Sequence, residues 1–156
     1  MNADSLKELG NEAFRKKNFQ EAIKHYTDAI ALAPTNSVLF SNRAAVHLTM
    51  NLLDEALRDA REAVRLDRSN TKGLLRIGKA LYALGKYSDA IIEGLEPALE
   101  TKPDDKTKTE IEDCLKRAKA ALPKEGYKGK TFEYAHGKRY QWPDNRAEEM
   151  GIKQGM

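Results

Sequence analysis

Five side chains able to hold an anion stand at related spacings along this chain. Lys7 and Asn11 are four residues apart, as are Lys72 and Arg76, and Asn42 lies 34 residues before Arg76. Residues four apart share one face of a helix. Lysine and arginine carry only donors, and an asparagine amide adds two more. No acid belongs to the set, so its donors are not consumed internally. Such a cluster suits a carboxylate, which accepts several charge-assisted hydrogen bonds at once. A peptide ending in aspartate offers two carboxylates together. The chemistry expected of this set is recognition, not catalysis.

Helices in fixed relation must position these residues, and the sequence supplies them by repetition. Shifted by 34 residues, the chain aligns with itself. Leu6, Phe40 and Leu74 coincide, then Gly10, Ala44 and Gly78, then Ala22, Ala56 and Ala90, then Ile23, Leu57 and Ile91. Small residues recur where helices must approach closely, and bulky ones where a gap must be filled. A period in this range marks a helical array. Asp4 or Ser5 is expected to cap a first helix running to about Lys17. Asn18 marks a turn, and a second helix runs to about Ala33, where Pro34 stops it. The next pair is read as Ser37 to Met50 and Asp54 to Leu66, with Asn42 on its first, central helix. The third starts near Thr71, turns at Gly85 and resumes near Ser88.

The third pair breaks register. Ala29 and Ala63 predict an alanine at position 97, but Pro97 is there and Ala98 follows one residue late. Gly94 precedes it. One extra residue in a helix predicts a kink or bulge between Glu93 and Pro97. Asp104 to Leu122 reads as a further amphipathic helix, with Ile111, Cys114, Leu115 and Ala118 inward. It would cap the open apolar end of the stack. Seven helices are therefore predicted before residue 123. Beyond Pro123 the texture changes. Phe132, Tyr134 and His136 alternate, as do Tyr140 and Trp142, and a short hairpin around His136-Gly137 is expected. It would dock on the helices, pair with another chain, or begin a further domain.

Composition narrows the function classes. The chain has 156 residues, 40% hydrophobic, with a formal net charge of +3. That mild excess is no footprint of nucleic-acid binding. Cys114 is the single cysteine, so no internal disulfide forms, and a reducing compartment is the natural reading. The first residues have no apolar signal core, and no run approaches the length of a membrane span. A soluble cytoplasmic protein is expected, with cytosol and nucleus not separable this way. His25, His47 and His136 lack metal-ligand spacing. Gly129-Lys130-Thr131 is half of a phosphate-binding loop, but Lys124 stands where its first glycine belongs. No serine sits in a nucleophile elbow. No metal, cofactor or catalytic residue is expected.

With this spacing the chain resembles the tetratricopeptide repeat family over about residues 3 to 122. Leu9, Gly10, Ala13, Ala22, Tyr26, Ala29 and Pro34 match its signature in the first repeat. The second repeat has Arg68 in place of the proline, and the third slips at Pro97. The resemblance implies an all-α, right-handed solenoid. Its units would be repeats at about 3–36, 37–70 and 71–104, a capping helix over 105–122, and a separate aromatic tail, 123–156. The first helix of each pair would line a concave, peptide-binding groove, with all five polar residues facing it. The strings LKELGNEAF, SNRAA and KGLLR, with the Lys-Asn-Asn-Lys-Arg set, are similar to the carboxylate clamp of co-chaperone repeat domains, above all the N-terminal domain of Hop and its relatives. That resemblance implies binding of the C-terminal Glu-Glu-Val-Asp tails of 70-kDa and 90-kDa heat-shock chaperones. Lys7, Asn11, Asn42 and Lys72 would grip the terminal carboxylates and Arg76 the groups nearby. Ala45, Thr49 and Lys79 would line the groove beside them. A monomeric, non-catalytic adaptor is expected. The alternatives are a chaperone-targeting arm of an enzyme (a prolyl isomerase, phosphatase or ubiquitin ligase) and a scaffold that binds an internal segment.

Overall fold

A computed structural model describes residues 1–122, 130–133 and 139–142. The first 122 hold seven helices and no strand. These are α1 (Ala3–Arg15), α2 (Phe19–Leu32), α3 (Ser37–Thr49), α4 (Leu53–Leu66) and α5 (Thr71–Ala83). The sixth, α6, is made of Tyr87–Asp89, a π-helical stretch Ala90–Leu95 and Glu96–Glu100. The seventh, α7, spans Asp105–Ala121. Helices pack as α1 on α2, α3 on α4 and α5 on α6. α1, α3 and α5 also lie side by side, and α7 covers the end of the stack against α5 and α6.

The 34-residue period reaches down to single hydrogen bonds. Asn2, Asn36 and Asn70 cap α1, α3 and α5, accepting from the backbone N–H of Ser5 at 2.8 Å, Val38 at 3.1 Å and Gly73 at 2.9 Å. Asp104, another 34 residues on, caps α7 through Thr107 N–H at 2.7 Å. The expected caps Asp4 and Ser5 are corrected here: both lie inside the first turn, and Asn2, in extended backbone, is the residue whose side chain can turn back to it. Asp4 then sits among the free N–H groups of that turn, where negative charge is favoured.

The turns inside each pair repeat in the same way. Lys17, Asn51 and Gly85 all adopt positive φ, at 63°, 60° and 79°. In each, the following N–H reaches the carbonyl five residues back: Asn18 to Ala13, Leu52 to His47 and Lys86 to Leu81, at 2.8–2.9 Å. This left-handed closure absorbs the last carbonyls of the first helix. Only the third copy has the glycine that the conformation favours.

Within each pair the helices meet at a small residue. A Cβ built on Gly10 would lie 2.6 Å from the ring of Tyr26. In the second pair the equivalent residues are Ala44 and Ala60, both fully buried. In the third, strict register would put Gly94 against Gly78, and a Cβ on Gly94 would lie 2.4 Å from the Gly78 nitrogen. The bulky partner of Gly78 is Leu95, one residue late, whose Cδ2 would be 2.5 Å from an added Cβ. The π turn therefore inserts one residue between Ala90 and Leu95, and the side chains after it shift by one. This explains the late alanine: Ala98 is fully buried in the place of Ala29 and Ala63. Pro97 sits in the first turn after the π stretch, where a missing N–H costs least. The expected distortion between Glu93 and Pro97 is thus a π bulge that starts slightly earlier.

Ile111, Leu115 and Ala118 of α7 join the core cluster formed by Leu74, Ile77, Leu81, Ile91 and Leu95, with Cys114 packed at its edge. Burial raises the Cys114 thiol above its ordinary value, as befits a packing residue. In the tail, Lys130–Glu133 and Arg139–Trp142 pair antiparallel, with Phe132 opposite Tyr140 in register. The predicted turn at His136-Gly137, and Tyr134, fall outside the described residues.

Two substitutions of opposite sign test this geometry. Gly94→Ala should destabilise the fold by about 1–3 kcal/mol, because its Cβ meets backbone that cannot step aside. Lys17→Gly should stabilise it by up to ~1 kcal/mol, because it relieves a left-handed residue with a side chain. Urea unfolding midpoints of the two variants, read against the parent, check both.

Candidate functional site

Three parallel layers position the polar set. Lys7 and Asn11 stand on α1, Asn42 on α3, and Lys72 and Arg76 on α5. Asn11 is the junction. The Tyr26 hydroxyl donates to Asn11 Oδ1 at 2.5 Å, and Asn42 Nδ2 donates to the same oxygen at 3.4 Å. Burial pushes the Tyr26 phenol up to about 12, so it keeps its proton at neutral pH. With its carbonyl side occupied, Asn11 presents its amide donors. Among the described residues they find only Glu8 Oε1 at 3.5 Å, the limit of a hydrogen bond.

Arg76 anchors the other side. Its Nη1 donates to Ser41 Oγ at 2.5 Å, one residue before Asn42. Burial lowers the Arg76 guanidinium below its usual range, against the opposing pull of Glu110 and Tyr26. It nevertheless stays charged at neutral pH. Among the described residues neither Arg76 nor Lys72 makes an ion pair. A partly desolvated cation without a carboxylate is costly, and an incoming anion would relieve that cost.

The remaining expected residues divide. Lys7 has a loose contact with Asp4 at 3.8 Å and is otherwise open to a ligand. Ala45 is half-buried, and its carbonyl accepts from Thr49 Oγ1 at 2.9 Å. The Thr49 hydroxyl is thereby spent on its own helix. Lys79 is ion-paired with Glu110 of α7, so it is not a free cation. Tyr26 and Ser41 are missing from the residue set predicted above. Tyr26 had a signal, since a buried tyrosine needs a partner for its hydroxyl. Ser41 had none, because its repeat equivalents are Lys7 and Leu75.

A second network lies between α2, α3 and α4. Arg43 holds the buried Asp59 in a two-pronged pair, Nε to Oδ2 at 2.7 Å and Nη2 to Oδ1 at 2.8 Å. Its Nη1 reaches Thr27 Oγ1 at 3.2 Å, and His47 Nε2 lies 3.3 Å from Asp59 Oδ2. Burial alone would raise the Asp59 carboxyl, but the hydrogen bonds from Arg43 and His47 outweigh it and hold it below the ordinary range. This network clamps one helix pair to the next and uses none of Lys7, Asn11, Asn42, Lys72 and Arg76.

Among the described residues no helix is long and apolar enough to cross a membrane, and no group of His, Cys, Asp and Glu could hold a metal ion. Comparison with known proteins agrees with the helix geometry. Residues 3–36 and 42–106 match the tetratricopeptide repeat profile, and the chain belongs to that family. Over 123 residues it is 37% identical to the small glutamine-rich tetratricopeptide repeat-containing protein 2 of Saccharomyces cerevisiae, covering 77% of this chain and 35% of that protein. It is 36% identical over 118 residues to serine/threonine-protein phosphatase 5 of Rattus norvegicus, covering 75% and 23%. The chain therefore spans about a third or less of these relatives. Among solved structures, the first tetratricopeptide repeat domain of Spaghetti (RPAP3), bound to the HSP90 peptide SRMEEVD, superposes with a TM-score of 0.68 at 35% identity, over 76% of this chain and 96% of that one.

Asp59 makes a pH prediction. Its folded carboxyl titrates below its unfolded value, so the unfolded chain binds more protons as pH falls, and stability drops with pH through that window. Asp59→Asn should flatten this acid limb. At neutral pH it should cost on the order of 3 kcal/mol, because it breaks a buried pair. Urea titrations of parent and variant between pH 3 and pH 7, roughly the range spanning a carboxylate's ordinary value, measure both.

Proposed function

We propose that this chain is a non-catalytic adaptor whose groove captures the C-terminal Glu-Glu-Val-Asp tails of 70-kDa and 90-kDa heat-shock chaperones. The observation that supports this best is the joined set of Asn11, Asn42 and Arg76. Asn42 bonds Asn11 between α3 and α1, Ser41 beside Asn42 holds Arg76 of α5, and among the described residues the arginine makes no ion pair. Lys7 and Lys72, one turn before Asn11 and Arg76, would complete the grip on the terminal carboxylates. Arg76 would hold nearby groups of the ligand. Tyr26 and Ser41 would orient Asn11 and Arg76 without touching the peptide. Ala45 and Thr49 would line the groove as surface, since the threonine hydroxyl is bonded back to its helix. The solved domain named above holds a peptide with this ending, which supports the same ligand here. A chain with such partners would work in the cytoplasm or the nucleus.

A second reading gives this domain to a longer enzyme as its chaperone-targeting arm. The similarity to a phosphatase of which the chain spans 23% favours it. The binding chemistry is the same in both, and the full reading frame at the locus separates them.

Titration calorimetry with an Asp-terminated chaperone peptide and its amidated twin tests the site. Asn42→Ala and Lys72→Ala should each weaken binding by about 10- to 150-fold, since a charged hydrogen bond is worth ~1.5–3 kcal/mol. Arg76→Glu should weaken it further by adding repulsion. Lys72 is exposed, so Lys72→Ala should leave the unfolding midpoint near that of the parent. Affinity should fall with added salt, though less than for an open surface pair. Equal binding of free and amidated peptides would remove the clamp.

A further inference from the structure

Glu110 is an acid set against the cationic face of α5. On that helix Lys72, Arg76 and Lys79 fall four and three residues apart, along one stripe. The first two make no ion pair among the described residues. Lys79 does: its Nζ is bonded to Glu110 Oε1, presented by α7. Both side chains stay within reach of a ligand, with 39% and 47% of their surface exposed. Glu110 is also the largest charge acting on Arg76. Beside the pair lies a cavity of 210 Å³ lined by Gly78, Lys79, Tyr82, Cys114 and Arg117. The positive field of α5 therefore stops after Arg76, at the point where α7 comes in.

Resting on the clamp reading above, we propose that Glu110 is a specificity-determining residue that cancels the pull of Lys79 on acid a few residues before the ligand's terminal carboxylate. Lys79 stands seven residues beyond Lys72, ~10 Å along the helix at 1.5 Å per residue. An extended peptide covers that distance in about three residues. A ligand whose terminus is held at Lys72 and whose chain runs along α5 toward the end of that helix brings its third or fourth residue from the end to the Lys79–Glu110 pair. An acidic side chain there meets Glu110 as well as Lys79, and the two effects largely cancel. The groove then favours acid at the terminus and is nearly indifferent to acid at that upstream position. Removing one member of the pair uncovers the other, so the two single substitutions act in opposite directions.

The test uses the whole chain and two Asp-terminated octapeptides that differ only at the fourth residue from the end, Glu or Gln, with an amidated twin of each. The ratio of their affinities is read by calorimetry. Glu110→Gln should shift that ratio about two- to fivefold toward the Glu peptide, the span of a part-exposed ion pair. Lys79→Gln should shift it by a similar factor toward the Gln peptide, and the double variant should return it to the parental value. A mere loss of structure would weaken both peptides alike and could not move the ratio in opposite directions. If Glu110→Gln changes both peptides equally while amidation still abolishes binding, the clamp stands and the role of Glu110 is overturned. If the amidated twins bind like the free peptides, the clamp reading itself fails, and this inference with it.

Discussion

The structure depends on how closely two helices can approach inside each pair. At Gly10 the α1 backbone runs against the Tyr26 ring, and at Gly78 the α5 backbone runs against Leu95 and Gly94. No side chain fits at either place. Each contact fixes the spacing and crossing of its pair, and the pair in turn fixes which face of α1, α3 and α5 is left for a ligand. The middle pair reaches a similar result with two alanines, Ala44 and Ala60, in place of glycine against a large residue. Two alanines carry less side-chain volume than a tyrosine or leucine set against a glycine, so the middle pair keeps the close approach with a smaller contact.

That constraint couples packing to recognition through one residue. Tyr26 fills the space beside Gly10 and, with its hydroxyl, holds the Asn11 carbonyl. The same side chain sets helix spacing and turns the asparagine amide toward the groove. Arg76 is treated similarly: Ser41 orients it and burial strips much of its water, while no carboxylate among the described residues neutralises it. On the proposed reading, these groups are held in place before a ligand arrives, which would lower the ordering cost of binding. The charges that secure the fold are kept apart from these groups. Arg43 and His47 both hold Asp59 between α3 and α4, and Arg61 pairs with Glu93 at 2.7 Å between α4 and the π stretch of α6.

The π bulge shows how a repeat absorbs an irregular copy. The extra residue after Ala90 moves Leu95 and Ala98 into the places that strict register would give to Gly94 and Pro97. The helix still ends at Glu100, 34 residues after the end of α4. The bulge thus displaces side chains without displacing the next element, and Asp104 caps α7 in phase with the three asparagines before it.

The sequence by itself determined the period, the seven helices and the break near Gly94, and it predicts a face shared by Lys7, Asn11, Asn42, Lys72 and Arg76, of which Asn11 and Asn42 are joined by a hydrogen bond. These are local or periodic properties: side chains at 3.6-residue spacing, repeated every 34 residues, declare their faces without reference to distant neighbours. It also held the capping asparagines at 2, 36 and 70, which the reading at Asp4 and Ser5 passed over although the period marks them. Other features only the tertiary structure decided. Ser41 holds Arg76 across helices 35 residues apart, and Glu110 takes Lys79 from another element. Both partners are ordinary polar residues in the sequence. Their roles come from which helix is brought alongside which, and that is set by packing between elements rather than by any pattern within one.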